Sequence, residues 1–376
     1  MGKTAEIDVG AAPGGNRCMN IYLCSTVRNL LLALLRSIDT SDVESYILVI
    51  CDQQGIKAQD YDLSYLPSHI KIQFIFRDDI RRRLDSNYAG RIIRSLASLK
   101  IKTSAQFRKK IVRFILNDCM QTSIRGDEAN LSLFLFNDRN RIARLLRLAF
   151  SSYTVIEDGL ANYYGSRLTF NDKLQNMIRR GGRERRYIGD DPRCREIYLL
   201  NPDSAPPEIR HKTKAIDFIK QTSITEICYG FFKRSSATDI QQTFSCILAT
   251  QPIAVGDLTK SDFDLLIYKK ILTHLHDQGI HVVLKIHPRE DPERYRNAFP
   301  SEQLIDGKVP LELLIFGASE PCDIFSIYSS AGMGFEQFCR RLTLINDEES
   351  AHMAEIFDAW RADVSLLDQR IAQLLN

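Results

Sequence analysis

Short apolar runs recur along the chain, each followed by a longer stretch with apolar residues at helical spacing. MNIYLC (19–24), YILVIC (46–51), IKIQFIF (70–76), LSLFLF (131–136) and YTVIE (153–157) have the length and the β-branched and aromatic content of strands. NLLLALLRSI, between the first two, reads as helix by its leucines, as does the basic stretch from Asp78 to Met120. A second series follows: SCILAT (245–250), a helix over 261–279, HVVLKIH (281–287), a helix in PLELLIFG (310–317), CDIFSIYSS (322–330), a helix from Met333 to Arg341, and LTLIND (342–347). Runs this uniformly apolar predict strands buried on both faces, so each series implies a parallel sheet sandwiched between helices.

The expected architecture is therefore α/β, with two Rossmann-like doubly wound domains facing a cleft where the carboxyl ends of the strands meet. Between Gly165 and about Phe244 the pattern loosens into GGRERR, GDDPR and NPDSAPPEIRHK, which marks an interdomain connection. The spacing divides the chain into an extension at 1–18, a first domain at 19–200, a linker at 201–244, a second domain at 245–350 and helices at 351–376. The closing helices are expected to pack back across the first domain.

At 376 residues the chain exceeds the size at which one core tends to split, in keeping with two domains. Hydrophobic residues at 44% and charged residues at 26% exclude collagen-like, coiled-coil and wholly disordered classes. No run approaches the roughly 20 apolar residues that span a bilayer. Nine cysteines without a C-x-x-C pair, several inside apolar runs, read as buried reduced thiols and not as a zinc site. Together with the lack of an apolar leader in the first 18 residues, they predict a cytoplasmic protein.

Charge changes the picture more than composition does. The net charge is only +3, yet residues 77–113 hold twelve Lys or Arg against three Asp, and IRRGGRERR (178–186) adds a second basic cluster. Such runs fit either solvated helix faces or an anionic partner: a glycan, a membrane surface or nucleic acid. No helix-turn-helix, zinc-finger or aromatic-bearing sheet motif supports nucleic acid, so that partner is not expected.

Four polar motifs fall at predicted strand ends or helix starts. Glu157-Asp158-Gly159 follows YTVI, and of two adjacent carboxylates one can face a cleft as a base while the other orients it. KIHP puts His287 and Pro288 at a strand tip, where an imidazole can meet a phosphate. Glu312 opens a helix behind Pro310, and Ser329 and Ser330 end a strand with a predicted helix beginning just after, where backbone amides, two hydroxyls and the helix dipole would make an anion site. Singly, each also has an ordinary turn or capping explanation.

The ordered set, with the words EDGLANYYG, ATQP, LKIHPRED, VPLELLI and YSSAG, resembles the bacterial sialyltransferases of the two-Rossmann, GT-B type, closest to the capsular α-2,8-polysialyltransferase-like group. The lipooligosaccharide sialyltransferases are a near second. The resemblance covers roughly 19–347 and is faint over 77–130. It implies an inverting, metal-independent transferase that takes sialic acid from CMP-sialic acid, needs no further cofactor, and builds or caps a surface polysaccharide. By motif, Glu157 becomes the acceptor-activating base beside Asp158; His287, with Pro288, contacts the CMP phosphate; Ser329 and Ser330 hold that phosphate; Glu312 accepts from the ribose; and Gln251 and Pro252 line the nucleotide. Residues 77–113 then receive an anionic acceptor, with peripheral inner-membrane association as an added possibility. A relative using CMP-Kdo or a UDP-sugar is the alternative.

Overall fold

The computed structural model describes residues 18–99, 103–124, 130–168, 173, 185–219, 226–233, 244–253, 262–317 and 320–375. The first sheet contains β1 (Met19–Cys24), β2 (Glu44–Ile50), β3 (Ile70–Ile75), β4 (Leu131–Leu135) and β5 (Tyr153–Ile156). A small antiparallel ribbon, β6 (Ser166–Arg167) with β7 (Arg185–Arg186), stands apart from it. Two further strands, β8 (Cys194–Leu199) and β9 (Thr213–Ala215), complete the order β3-β2-β1-β4-β5-β8-β9, parallel throughout. The second sheet holds β10 (Cys246–Ala249), β11 (Val282–Lys285), β12 (Gln303–Ile305), β13 (Cys322–Ser326) and β14 (Cys339–Thr343) in the order β12-β11-β10-β13-β14, again all parallel.

The side-chain alternation of β1 feeds two layers. Ile21 and Leu23 point into a core built with α2 (Arg77–Asp85), α3 (Tyr88–Leu99), α4 (Ala105–Arg113) and α5 (Arg141–Ala149). Tyr22 and Cys24 point the other way, into a layer with the leucines of α1 (Val27–Asp39). That second layer continues without a break into Ile247, Val283, Val309 and Leu313 of the second sheet and its helices. The two domains thus share apolar core on the side that carries the cleft.

A helix in the connection reinforces this joint. In α6 (Glu226–Lys233), Phe231 stacks on Tyr61 at 5.0 Å and its carbonyl accepts from Asp62 N at 2.9 Å, while the Tyr229 hydroxyl donates to Leu313 O at 3.4 Å. The loosened sequence between 165 and 244 therefore contains two strands of the first sheet and this helix, because partners elsewhere in the fold supply the apolar contacts that the local pattern lacks.

The second domain adds α7 (Phe263–Asp277), α8 (Pro292–Ala298) and α9 (Leu311–Gly317), then α10 (Met353–Ala362) and α11 (Val364–Leu375). Two expectations are corrected here. Among the described residues the closing helices pack on the second domain and not back across the first: Phe357, Trp360, Leu367 and Ile371 join the core of α7 and the second sheet, and Lys270 Nζ in α7 donates to Asp368 in α11 at 2.9 Å. No helix occupies 333–341 either. Gly332 and Gly334 take φ of +76° and +85°, left-handed conformations that break a helix, and the chain crosses in turns to β14, whose residues 339–343 replace the expected strand at 342–347. Among the described residues no helix is long and apolar enough to cross a membrane. All eight cysteines from Cys24 onward are buried and none of the nine forms a disulfide.

Candidate active site

In each sheet the strand order reverses beside the first strand: β1 and β4 are neighbours in one sheet, β10 and β13 in the other. Open α/β sheets bind ligands at such switch points, outside the carboxyl ends of the strands. Every motif singled out in the sequence except Glu312 follows the carboxyl end of a strand, and Glu312 opens the helix that follows β12.

The first domain supplies a carboxylate corner. Glu157 leaves β5 with its side chain 3% exposed, and Arg28 Nη2 donates to its Oε1 at 3.1 Å. Its Oε2 accepts from the Tyr163 hydroxyl at 2.6 Å and from the Leu200 amide at 2.8 Å. Asp158 turns the other way: Asn29 Nδ2 donates to its Oδ1 at 2.9 Å, and Asn137 Nδ2 lies 3.5 Å from Oδ2. Burial raises the Asp158 carboxyl above its ordinary range, partly offset by the Asn29 bond and the Arg28 charge. Burial, then the charge of Glu157, also raises the Tyr163 phenol, which stays a donor to Glu157. Gly159 closes the corner at φ +104°, which only glycine adopts without strain, with Arg28 Nη1 3.5 Å from where a Cβ would stand.

The second domain supplies groups suited to a nucleotide. The His287 amide donates to Thr250 Oγ1 at 2.9 Å, and its Nδ1 accepts from the Arg289 amide at 3.1 Å, so the neutral ring carries its proton on Nε2. Burial, followed by the charges of Arg289 and Lys285, lowers the imidazole to about 4. Behind it, Lys285 Nζ donates to the carbonyls of Ile286 and Asp306 at 2.8 and 2.9 Å, and burial pulls that ammonium down to about 7. Gly307 lets this loop close against the His-Pro turn: a Cβ there would lie 2.6 Å from Pro288 Cα.

Gln251 ties the two strand ends together. Its amide donates to the Tyr268 hydroxyl at 3.0 Å and its Oε1 accepts from Tyr328 N at 2.9 Å, with Pro252 exposed beside it. Ser329 and Ser330 follow Tyr328 in a turn. Ser329 Oγ accepts from Ala331 N, and Arg341 holds the turn from behind by donating to Ser329 O at 2.8 Å and Ala331 O at 2.9 Å. Without a helix after them, these serines offer hydroxyls and loop amides, with no helix dipole.

Between the corners lies a cavity of about 620 Å³, lined by Arg28, Glu157, Tyr163 and Asn201 of the first domain and by Ser330, Met333 and Arg341 of the second. Glu157 and Ser330 thus face one space, and Glu312 joins them through Arg28, whose Nε stands 3.3 Å from Glu312 Oε1. His287, Gln251, Pro252 and Ser329 do not line that cavity; Ser329 precedes Ser330 in the chain, Gln251 holds Tyr328 N of the same turn, and the His287 amide bonds Thr250 beside Gln251. Sequence reasoning missed Arg28, Tyr163 and Arg341. Tyr163 lay inside EDGLANYYG, but a lone arginine after β1 carries no sequence signal until the switch point is known.

The basic segment divides in three dimensions. A second cavity, about 840 Å³, is lined by Arg77, Arg81 and Arg94 from α2 and α3 and by Arg139, Arg141 and Arg144 at the start of α5, with Asp78 its one acidic residue. It follows the carboxyl ends of β3 and β4, the same edge of the sheet as Glu157. Arg83 turns inward to Cys119 O at 3.0 Å, and Arg82 pairs with Asp79. Lys100 and Lys102, Arg179, Arg180 and Arg183, and almost all of the 1–18 extension lie outside the described residues. Among the described residues no three His, Cys, Asp or Glu side chains are grouped to hold a metal ion.

Two parallel Rossmann-like sheets with ligand loops at both switch points define the GT-B class. Residues 72–340 match the model of Glycosyltransferase family 52, and the chain belongs to that family, the bacterial sialyltransferases. It is similar in structure to the α/β-galactoside α-2,3-sialyltransferase of Photobacterium phosphoreum, at 13% identity and TM-score 0.48, over 88% of this chain and 91% of that one. The GT-B domain of the Photobacterium damselae sialyltransferase is similar at 12% and 0.45, over 83% and 86%. The UDP-GlcNAc 2-epimerase of Methanocaldococcus jannaschii follows at 12% and 0.40, over 89% and 86%. No curated protein matches the chain.

Proposed function

We propose that the protein is an inverting transferase that moves sialic acid from CMP-sialic acid to a glycan, with a sialylated bacterial surface polysaccharide as the acceptor class. The observation that carries this reading is the cleft in which Glu157 of the first domain and Ser330 of the second face a common space. An acceptor hydroxyl on the Glu157 side attacks the anomeric carbon while the bond from that carbon to the phosphate oxygen breaks on the opposite face. The proton goes to Glu157 and the electron pair leaves with CMP. His287, through its Nε2 proton, and the hydroxyls of Ser329 and Ser330 meet the charge developing on the phosphate, and Glu312 accepts from the ribose.

Asp158, bonded to Asn29 and Asn137, fixes the Glu157 loop from behind. The sialyl centre already bears a carboxylate and CMP leaves readily, so positioning, deprotonation and charge neutralisation suffice, and the reading asks for no metal. The six-arginine cavity fits an anionic acceptor laid along the same sheet edge. Incubation with CMP-sialic acid, CMP-Kdo or UDP-sugars, each with lactosyl or oligosialic acceptors, followed by CMP quantification and product sizing, tests the reading. Acceptor-dependent release of CMP from CMP-sialic acid is expected; consumption of a UDP-sugar alone contradicts it.

A further inference from the structure

Arg28 stands where three parts of the cleft meet, and none of the roles above uses it. It is the second residue of α1, placed at the end of β1 by the Thr26 cap, whose Oγ1 accepts from Asn29 N at 3.1 Å. Its Nη2 donates to Glu157 at 3.1 Å, its Nε faces Glu312 Oε1 at 3.3 Å, and its guanidinium carbon lies 5.7 Å from the centre of the Phe335 ring. The two carboxylates are 3% and 10% exposed, and this one cation stands within ion-pair distance of both. The contact to Glu312 is Coulombic only, for Arg28 Nε has no hydrogen-bond acceptor.

Three other described cations near this space are already engaged. Arg341 holds the carbonyls of Ser329 and Ala331, Lys285 those of Ile286 and Asp306, and Lys308 that of Gln54. A ribose bonded to Glu312 takes the place of the Arg28 ion pair. The sugar of the same donor brings a carboxylate on its anomeric carbon, which must lie between Glu157 and the phosphate, beside Arg28.

We propose that Arg28 recognises the carboxylate of the donor sugar, exchanging its ion pair with Glu312 for one with the donor. The proposal rests on the CMP-sugar reading of the cleft and deepens it: the site selects sugars with a carboxylate at the anomeric carbon and disfavours neutral hexoses. Nucleotide binding and sugar binding then depend on Arg28 with opposite signs. CMP alone must displace Arg28 from Glu312 with nothing in return, whereas the complete donor replaces the lost pair.

The test is calorimetric titration of CMP and of 3-fluorinated CMP-sialic acid, a donor analogue that transfers poorly, into wild type, Arg28→Met and Arg28→Lys. In Arg28→Met the analogue should weaken by about tenfold or more, the scale of a lost charge-assisted hydrogen bond, while CMP binds as before or more tightly. Because Arg28→Met strands two buried carboxylates and can compromise folding, Arg28→Lys carries the same test with charge retained. There the analogue should weaken several-fold without loss of CMP affinity. Parallel weakening of both ligands, or no change in either, overturns the proposal. A wild-type protein that binds neither ligand overturns the CMP-sugar reading itself, which separates the two failures.

Discussion

Around Glu157 both carboxylate oxygens are held, by a guanidinium, a phenol and a backbone amide, whereas around His287 and Ser330 the bonds come from behind and secure the backbone. Ser330 is exposed to the cleft, and Arg341 steadies its turn through carbonyls without reaching over it. The first domain has fixed its charged group before any substrate arrives, at the cost of burying it; the second leaves hydroxyls open, which in the proposed function a phosphate completes. Preorganised charge belongs where a proton moves, and an incomplete shell belongs where the ligand supplies the missing acceptor.

The largest effect that sharpens this contrast should come from Glu157→Gln, which keeps the shape of the corner and removes its charge. Turnover should fall by about 10² or more, with CMP affinity near wild type, as measured by steady-state kinetics beside nucleotide titration. Asp158→Asn should cost less, since Asp158 braces the loop against Asn29 and Asn137; an equal or larger loss would make Asp158 the base. On the other side, His287→Ala should reduce turnover by about 10², and Ser329→Ala with Ser330→Ala should raise the donor KM several-fold. If the serine pair leaves the donor KM unchanged, the open corner is not a phosphate site.

A pH experiment compares the two corners through stability. His287 titrates near 4 in the folded chain, against about 6.5 when exposed, because burial and the flanking Arg289 and Lys285 disfavour its charge. Between those values the unfolded chain binds more protons, so this residue removes stability as pH falls from about 6.5 toward 4. In His287→Asn the urea midpoint should fall less steeply across that window than in wild type, and an unaltered slope would show the imidazole to be solvated.

The smallest effect concerns the arginine cavity. Arg81→Glu with Arg141→Glu should reduce elongation of long oligosialic acceptors several-fold and leave short acceptors and CMP binding alone, and added salt should mimic it. Lys109→Glu with Lys110→Glu, outside the cavity, should do less. If the cavity variants instead lose only binding to anionic vesicles, the groove docks on membrane.

Much of this arrangement was legible in the sequence, for physical reasons that also explain the gaps. Strands buried on both faces, such as LSLFLF and HVVLKIH, announce themselves as apolar runs, and the polar words directly after them fall at the carboxyl edge by chain order alone. β8 and β9 were missed because CREIYL and TKA lie toward one side of the sheet, carry polar residues, and take their contacts from distant parts of the chain. The expected helix at 333–341 does not form because the left-handed Gly332 and Gly334 decide the path. Arg28 was invisible because its meaning lies in two carboxylates, 129 residues away at Glu157 and in another domain at Glu312.

The account turns on one donor lying across both corners, and a structure of the protein with CMP bound measures that most directly. The phosphate should lie about 3 Å from His287 Nε2 and from a hydroxyl of Ser329 or Ser330, with the ribose on Glu312 and Arg28 moved off that carboxylate. A phosphate more than about 6 Å from all three side chains, beyond any direct hydrogen bond, would contradict it.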